Sequence, residues 1–108
     1  MNHERLVGLL GLGARGGHVV VGVDGTRAAL QREECRVVVL ASDASARATE
    51  KVVRLAQAKG VPLIAGPAAE QLGARLGRPP VMVVGVRDRA LASGILAVAR
   101  PATGPDGG

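Results

Sequence analysis

The chain has no Phe, Tyr or Trp among its 108 residues. That absence excludes domains that stack single-stranded bases on aromatic platforms, such as the RRM and cold-shock types. It also excludes aromatic cages for cations. A single cysteine, Cys35, leaves no intramolecular disulfide and no cysteine-rich zinc site. His3 and His18 are too few to complete a metal cluster with it. No uninterrupted apolar stretch approaches the roughly 20 residues of a membrane span. The opening Met1-Asn2-His3-Glu4-Arg5 lacks the apolar run and cleavage site of a secretory signal. A reduced, cytoplasmic protein without a cofactor is the expectation.

Hydrophobic residues make up 47% of the chain, and Ala, Val and Leu carry that share. A core of such small side chains needs layers that pack closely. The length fits one core, and the pattern predicts a single domain over residues 3–99. Residues 100–108 bury no apolar surface and are expected to form a disordered tail. The formal charge is +5, and twelve of the 14 basic residues are Arg. Arginine suits planar, bidentate contacts to phosphate and to guanine edges, although a basic balance alone also serves solubility.

Two hydrophobic periods alternate along the chain. Leu6, Val7, Leu9 and Leu10 stand at helical spacing within residues 4–14. Val19-Val20-Val21 is a short β-branched run, and residues 24–33 read as a polar-faced helix. Val37-Val38-Val39-Leu40-Ala41 is continuously apolar, as in a strand buried on both faces. Ser45 is placed to cap a helix that Gly60 stops. A third strand follows over 61–65, and Pro67 opens a helix that ends at Gly77. A fourth strand occupies 81–86, and Asp88 can cap a last helix carrying Leu91, Ile95 and Leu96. Strands alternating with helices in this way predict an α/β fold, with helices on both faces of a parallel or mixed sheet.

Gly11-Leu12-Gly13-Ala14-Arg15-Gly16 spells GxGxxG, and Glu33 and Glu34 follow at about the distance of a ribose ligand. A dinucleotide site needs a strand before the glycines and a helix directly after them. Here a helical pattern precedes and Val19-Val20-Val21 follows, so the context fails. Gly11 and Gly13 are instead expected to thin out a helix end, and Gly16 and Gly17 to turn the chain. Cys35 precedes a buried strand and reads as a small core filler rather than a nucleophile. His18 reads as a turn residue or phosphate contact. No pair of carboxylates is placed for acid–base work, and no enzyme or small-molecule substrate is expected.

Leu9-Leu10-Gly11-Leu12-Gly13-Ala14-Arg15-Gly16-Gly17-His18-Val19-Val20-Val21-Gly22 resembles the opening of the kink-turn-binding ribosomal proteins. These form the L-seven-Ae and L-thirty-e superfamily, and the resemblance is to its short bacterial YlxQ-type members. Val37 to Ser45 looks like the family's central strand and acidic loop, and Gly60 to Ile64 like its next strand. Leu72-Gly73-Ala74-Arg75-Leu76-Gly77 looks like the helix before its last strand. The resemblance implies a three-layer α/β/α sandwich around a four-stranded mixed sheet. It also implies binding of kink-turn-type structured RNA, ribosomal or otherwise linked to translation.

By the same resemblance, one contact loop is Gly22-Val23-Asp24-Gly25-Thr26-Arg27-Ala28 and the other is Arg78-Pro79-Pro80-Val81. Gly22 matches the glycine that lets backbone approach RNA, and Val81 the apolar cover for an extruded nucleotide. Asp24 stands where the family commonly has Asn or Lys, Gly25 where it has Glu or Gln, and Ala28 where it has Lys. Arg27 or Gln31 would then replace that lysine. Arg15, His18, Arg27 and Arg32 are expected to form one basic rim. The competing reading is a module of the same fold that has lost RNA and docks a protein, since fold does not fix function.

Overall fold

The computed structural model describes residues 3–98, so the expected tail lies outside the described residues. The elements run α1 (His3–Arg15), β1 (Val19–Val21), α2 (Val23–Gln31), β2 (Val37–Leu40), α3 (Ala46–Ala58), β3 (Leu63–Ala65), α4 (Ala69–Arg75), β4 (Val83–Val86) and α5 (Arg89–Val98). The order matches the alternation of periods in the sequence. Two strands begin later than their apolar runs. The Pro62 carbonyl accepts from Val38 N–H and the Met82 carbonyl from Ala41 N–H, but Leu63 and Val83 are the first regular ladder positions.

The sheet is mixed, with strand order β1-β4-β2-β3. β4 is antiparallel to both β1 and β2, and β3 runs parallel to β2. Successive β2 side chains go to opposite faces. Val37 and Val39 join Leu6, Leu10, Leu72 and Ile95, which places α1, α4 and α5 on one face. Val38 joins Leu30, Val52 and Ala56, which places α2 and α3 on the other. The result is the three-layer α/β/α sandwich.

The largest fully buried side chains are Leu, Ile and Val. Each contributes about 1.5–3 kcal/mol by burial. Without aromatic rings to fill space, the layers close up at glycines. A Cβ on Gly85 of β4 would stand 3.1 Å from Thr26 Cγ2 and 3.3 Å from Cys35 Sγ, so α2 lies directly on the strand. Gly13 does the same between helices, because a Cβ there would collide with Leu91 of α5. Gly11 and Gly13 therefore lie inside α1, which continues to Arg15, rather than thinning its end. The turn falls at Gly17, with φ 75°, where His18 N–H bonds the Gly13 carbonyl at 2.8 Å.

Helix ends follow the local chemistry. Ser45 Oγ accepts from Ala48 N–H at 3.3 Å to start α3, and Gly60, at φ 70°, closes it. Asp88 Oδ2 accepts from Leu91 N–H at 2.8 Å to start α5. α4 begins at Ala69 rather than at Pro67, and its first amide is held from far away in sequence. Ala69 N–H donates to Asp43 Oδ1 at 2.8 Å.

Candidate nucleic-acid interface

α2 starts on a backbone that a side chain would strain. Gly22 sits at φ 97°, ψ 168°, a region that is essentially restricted to glycine. A Cβ added there would meet nothing within 4 Å, so the space above Gly22 is open. Gly22 also has no side chain to cap the helix. The amides of Val23, Asp24 and Gly25 have no carbonyl one turn earlier within the helix, and they point outward at its positive end. That arrangement suits an anion. Arg27 follows half-buried in the second turn.

The sheet carries the second loop to the same place. Val21 pairs with Val84, and Gly22 N–H donates to the Val83 carbonyl at 2.9 Å. The segment entering β4 therefore lies beside the start of α2. It is pinned from below by α4. Arg78 N–H bonds the Gly73 carbonyl at 2.8 Å, and Val81 N–H bonds the Ala69 carbonyl at 3.0 Å. A Cβ on Gly73 would collide with the Pro79 carbonyl, so only glycine lets α4 sit this close to the loop. Arg78, Pro79 and Pro80 are exposed. Neither Arg27 nor Arg78 has a carboxylate partner among the described residues.

Gly22, Val23, Asp24 and Gly25 thus lie at the sheet end where β4 begins, near Val81; Arg27 follows one turn on in α2, and Arg78 lies three residues before Val81. Within that group Val81 differs from expectation. Its side chain is buried among α4 and β4 residues, so it is core and not a surface. Besides Pro79 and Pro80, the exposed apolar side chain of this segment is Met82, 38% accessible. Met82 lies in a uniformly apolar run, where nothing local in the sequence distinguishes the buried position from the exposed one.

The expected basic rim is divided. β1 and α2 each carry the chain roughly 12 Å along the sheet. His18 precedes β1 and Gly22 follows it, so they lie at opposite ends. Arg15 closes α1 at the His18 end, and Gln31 and Arg32 close α2 there. At that end His18 Nδ1 is 3.9 Å from Asp88 Oδ1, and Arg87 is 3.6 Å from Glu34. The shallow cleft around His18 is lined by Glu33, Glu34 and Asp88 as well as Arg36 and Arg87, a mixture of signs that does not favour an anion.

The model of the ribosomal protein L7Ae/L30e/S12e/Gadd45 family matches residues 5–95. The chain belongs to this family. Among solved structures, a Bacillus halodurans protein of unknown function superposes with a TM-score of 0.80 at 26% identity, covering 89% of this chain and 96% of that one. The Giardia lamblia 15.5kD RNA binding protein superposes with a TM-score of 0.72 at 23% identity, covering 90% of this chain and 86% of that one. At that identity the likeness is one of fold. No curated protein matches the sequence closely enough to count as a relative.

In this L7Ae-family chain two further features bear on chemistry. Arg47, in the first turn of α3, starts from the same sheet end as α2, because α3 follows the C-terminal end of β2. Its relevance depends on strand direction, which spacing along the chain does not reveal. Cys35 is buried, its thiol donates to the Val37 carbonyl at 3.4 Å, and burial pushes its pKa up. Such a thiol stays protonated, as a core filler should. Among the described residues no group of three His, Cys, Asp or Glu is placed to hold a metal, and no helix is long and apolar enough to cross a membrane.

Proposed function

We propose that the protein binds structured RNA of the kink-turn type, without catalysis or cofactor, through the start of α2 and the Arg78–Met82 segment. In this reading it is a YlxQ-type member of its family and works in the cytoplasm, on ribosomal RNA or a translation-linked RNA. The observation that carries the reading is the open row of Val23, Asp24 and Gly25 amides under Gly22, set beside an arginine-bearing loop at one sheet end. Backbone amides at a helix start, flanked by Arg27 and Arg78, match phosphate and guanine-edge acceptors. Recognition of a folded RNA by shape needs no stacking aromatics, which the chain lacks. Pro79, Pro80 and Met82 provide apolar cover for an unstacked base in place of the buried Val81.

The departures at Asp24, Gly25 and Ala28 set the expected strength. Asp24 brings a negative charge toward phosphate, and Gly25 has no side chain to accept from a guanine. Binding is therefore expected to rest on backbone amides and arginines, and to be strongly salt-dependent. Titration of a labelled kink-turn RNA and of an unrelated hairpin, at low and at physiological salt, tests this. The kink-turn RNA should bind more tightly than the hairpin, and its affinity should fall steeply with salt. No binding to either RNA at low salt would overturn the reading and favour a protein-docking module.

A further inference from the structure

We propose that a groove along the outer face of α1 docks an acidic amphipathic helix of a partner protein. The groove runs along α1 with Arg75 of α4 at its edge, is open to solvent with a volume of about 490 Å³, and is lined by Arg5, Gly8, Gly11, Leu12, Arg15 and Arg75 among others. It faces away from the start of α2. α1 and α4 cover one side of the sheet, and α2 and α3 cover the other.

Gly8 and Gly11 shape the groove, and the fold does not require them. Each glycine inside a helix costs about 1 kcal/mol relative to alanine. A Cβ on Gly8 would meet nothing within 4 Å. A Cβ on Gly11 would make only an ordinary contact, 3.6 Å from Arg75 Cγ. Gly13 is the contrast, since a Cβ there collides with Leu91. Gly13 therefore serves the core, whereas Gly8 and Gly11 leave a trough on the surface.

Charge and polarity identify the occupant. No carboxylate lines the groove, and three arginines do. Arg15 and Arg75 have no carboxylate partner among the described residues. The lining is nonetheless mostly apolar, and Leu12 is 65% exposed, the most accessible large hydrophobic side chain among the described residues. A phosphate backbone would use the arginines and leave Leu12 in water. An amphipathic helix uses both, with apolar side chains over Leu12 and the glycine floor and carboxylates toward Arg15 and Arg75. Because this surface is separate from the start of α2, RNA and the partner can be held together.

The test uses the full chain and a fluorescent synthetic peptide of about 15 residues, the length at which a helix becomes marginally stable in water. The peptide carries Leu at helical spacing and Glu elsewhere; a second peptide has Lys in place of Glu. The acidic peptide should bind saturably, shift the amide signals of Gly8, Gly11 and Leu12, and bind less at high salt. Gly8→Leu fills the trough and should weaken binding by about tenfold or more, without lowering the thermal midpoint. Leu12→Glu, at a solvent-exposed position, should do the same. Equal binding of the two peptides, or unchanged binding by both variants, would overturn the proposal. So would shifts of these amides by duplex RNA in place of the acidic peptide.

Discussion

The Asp43 carboxylate accepts a hydrogen bond from the Ala69 amide at 2.8 Å, across 26 residues of sequence. It ties the loop after β2 to the first turn of α4, which in turn holds Val81 through the Ala69 carbonyl. The loop that carries Arg78 is thus braced by a residue that sequence alone associates with α3. Asp43→Ala removes a helix-start acceptor and should cost about 1 kcal/mol. In a chain of this size that corresponds to a loss of roughly 4–8 °C in thermal midpoint, measured by circular dichroism.

Gly73 sets the height of the same loop. Its missing side chain lets the Pro79 carbonyl rest against α4. Gly73→Ala drives a methyl into backbone rather than into a flexible side chain, so the loop must move. Overpacking of this kind costs about 1–3 kcal/mol. The expected outcome is lower stability in urea together with weaker RNA binding. Gly8→Ala, whose methyl meets nothing, should leave RNA binding unchanged and raise stability slightly.

Gly25 is free to change. A Cβ there meets only Val20 Cβ at 3.6 Å. Gly25→Glu adds a carboxylate in the first turn of α2, where the helix end favours negative charge, and removes a helix glycine worth about 1 kcal/mol. If the helix start reads guanine edges, the new carboxylate accepts from them. Affinity for kink-turn RNA should then rise while affinity for a plain hairpin does not. The paired titration of both RNAs reads this directly.

Cys35 supplies a pH prediction. Burial holds its pKa above the ordinary value, so the folded chain keeps the proton where the unfolded chain begins to lose it. The stabilisation is complete below the ordinary thiol pKa and is lost as pH rises above it. Urea midpoints should decline over that alkaline range, and less so for Cys35→Ala. Native protein should react with iodoacetamide only as fast as it unfolds.

Much of the fold was legible because each element carries its own punctuation. Val37 to Leu40 is apolar without a break, with Val37, Val38 and Val39 fully buried on both faces, and Gly60 stops α3 with a positive φ. GxGxxG lacks the strand–glycine–helix context of a dinucleotide site, and Gly13 is a helix contact. What was not legible depends on strand direction and on pairing. Arg15 and His18 stand close to Gly22 in sequence, yet β1 carries the chain from one end of the sheet to the other between them. Val81 and Met82 are adjacent apolar residues, and which one faces inward follows from how α4 and β2 hold this segment, through Val81 N–H to the Ala69 carbonyl and Ala41 N–H to the Met82 carbonyl. Asp43 caps a helix that lies 26 residues away.

The proposed function places RNA at one site, the start of α2 and the loop beside it, rather than on diffuse charge. The direct test is titration of one kink-turn RNA against Arg27→Ala, Arg78→Ala and Arg54→Ala. Arg54 lies on α3, 76% exposed at its side chain and 3.0 Å from Glu50. Arg27→Ala and Arg78→Ala should each weaken binding and lower the salt slope by about 1, while Arg54→Ala leaves both unchanged. Equal losses in all three variants would mean that RNA is held by diffuse charge and not at this site.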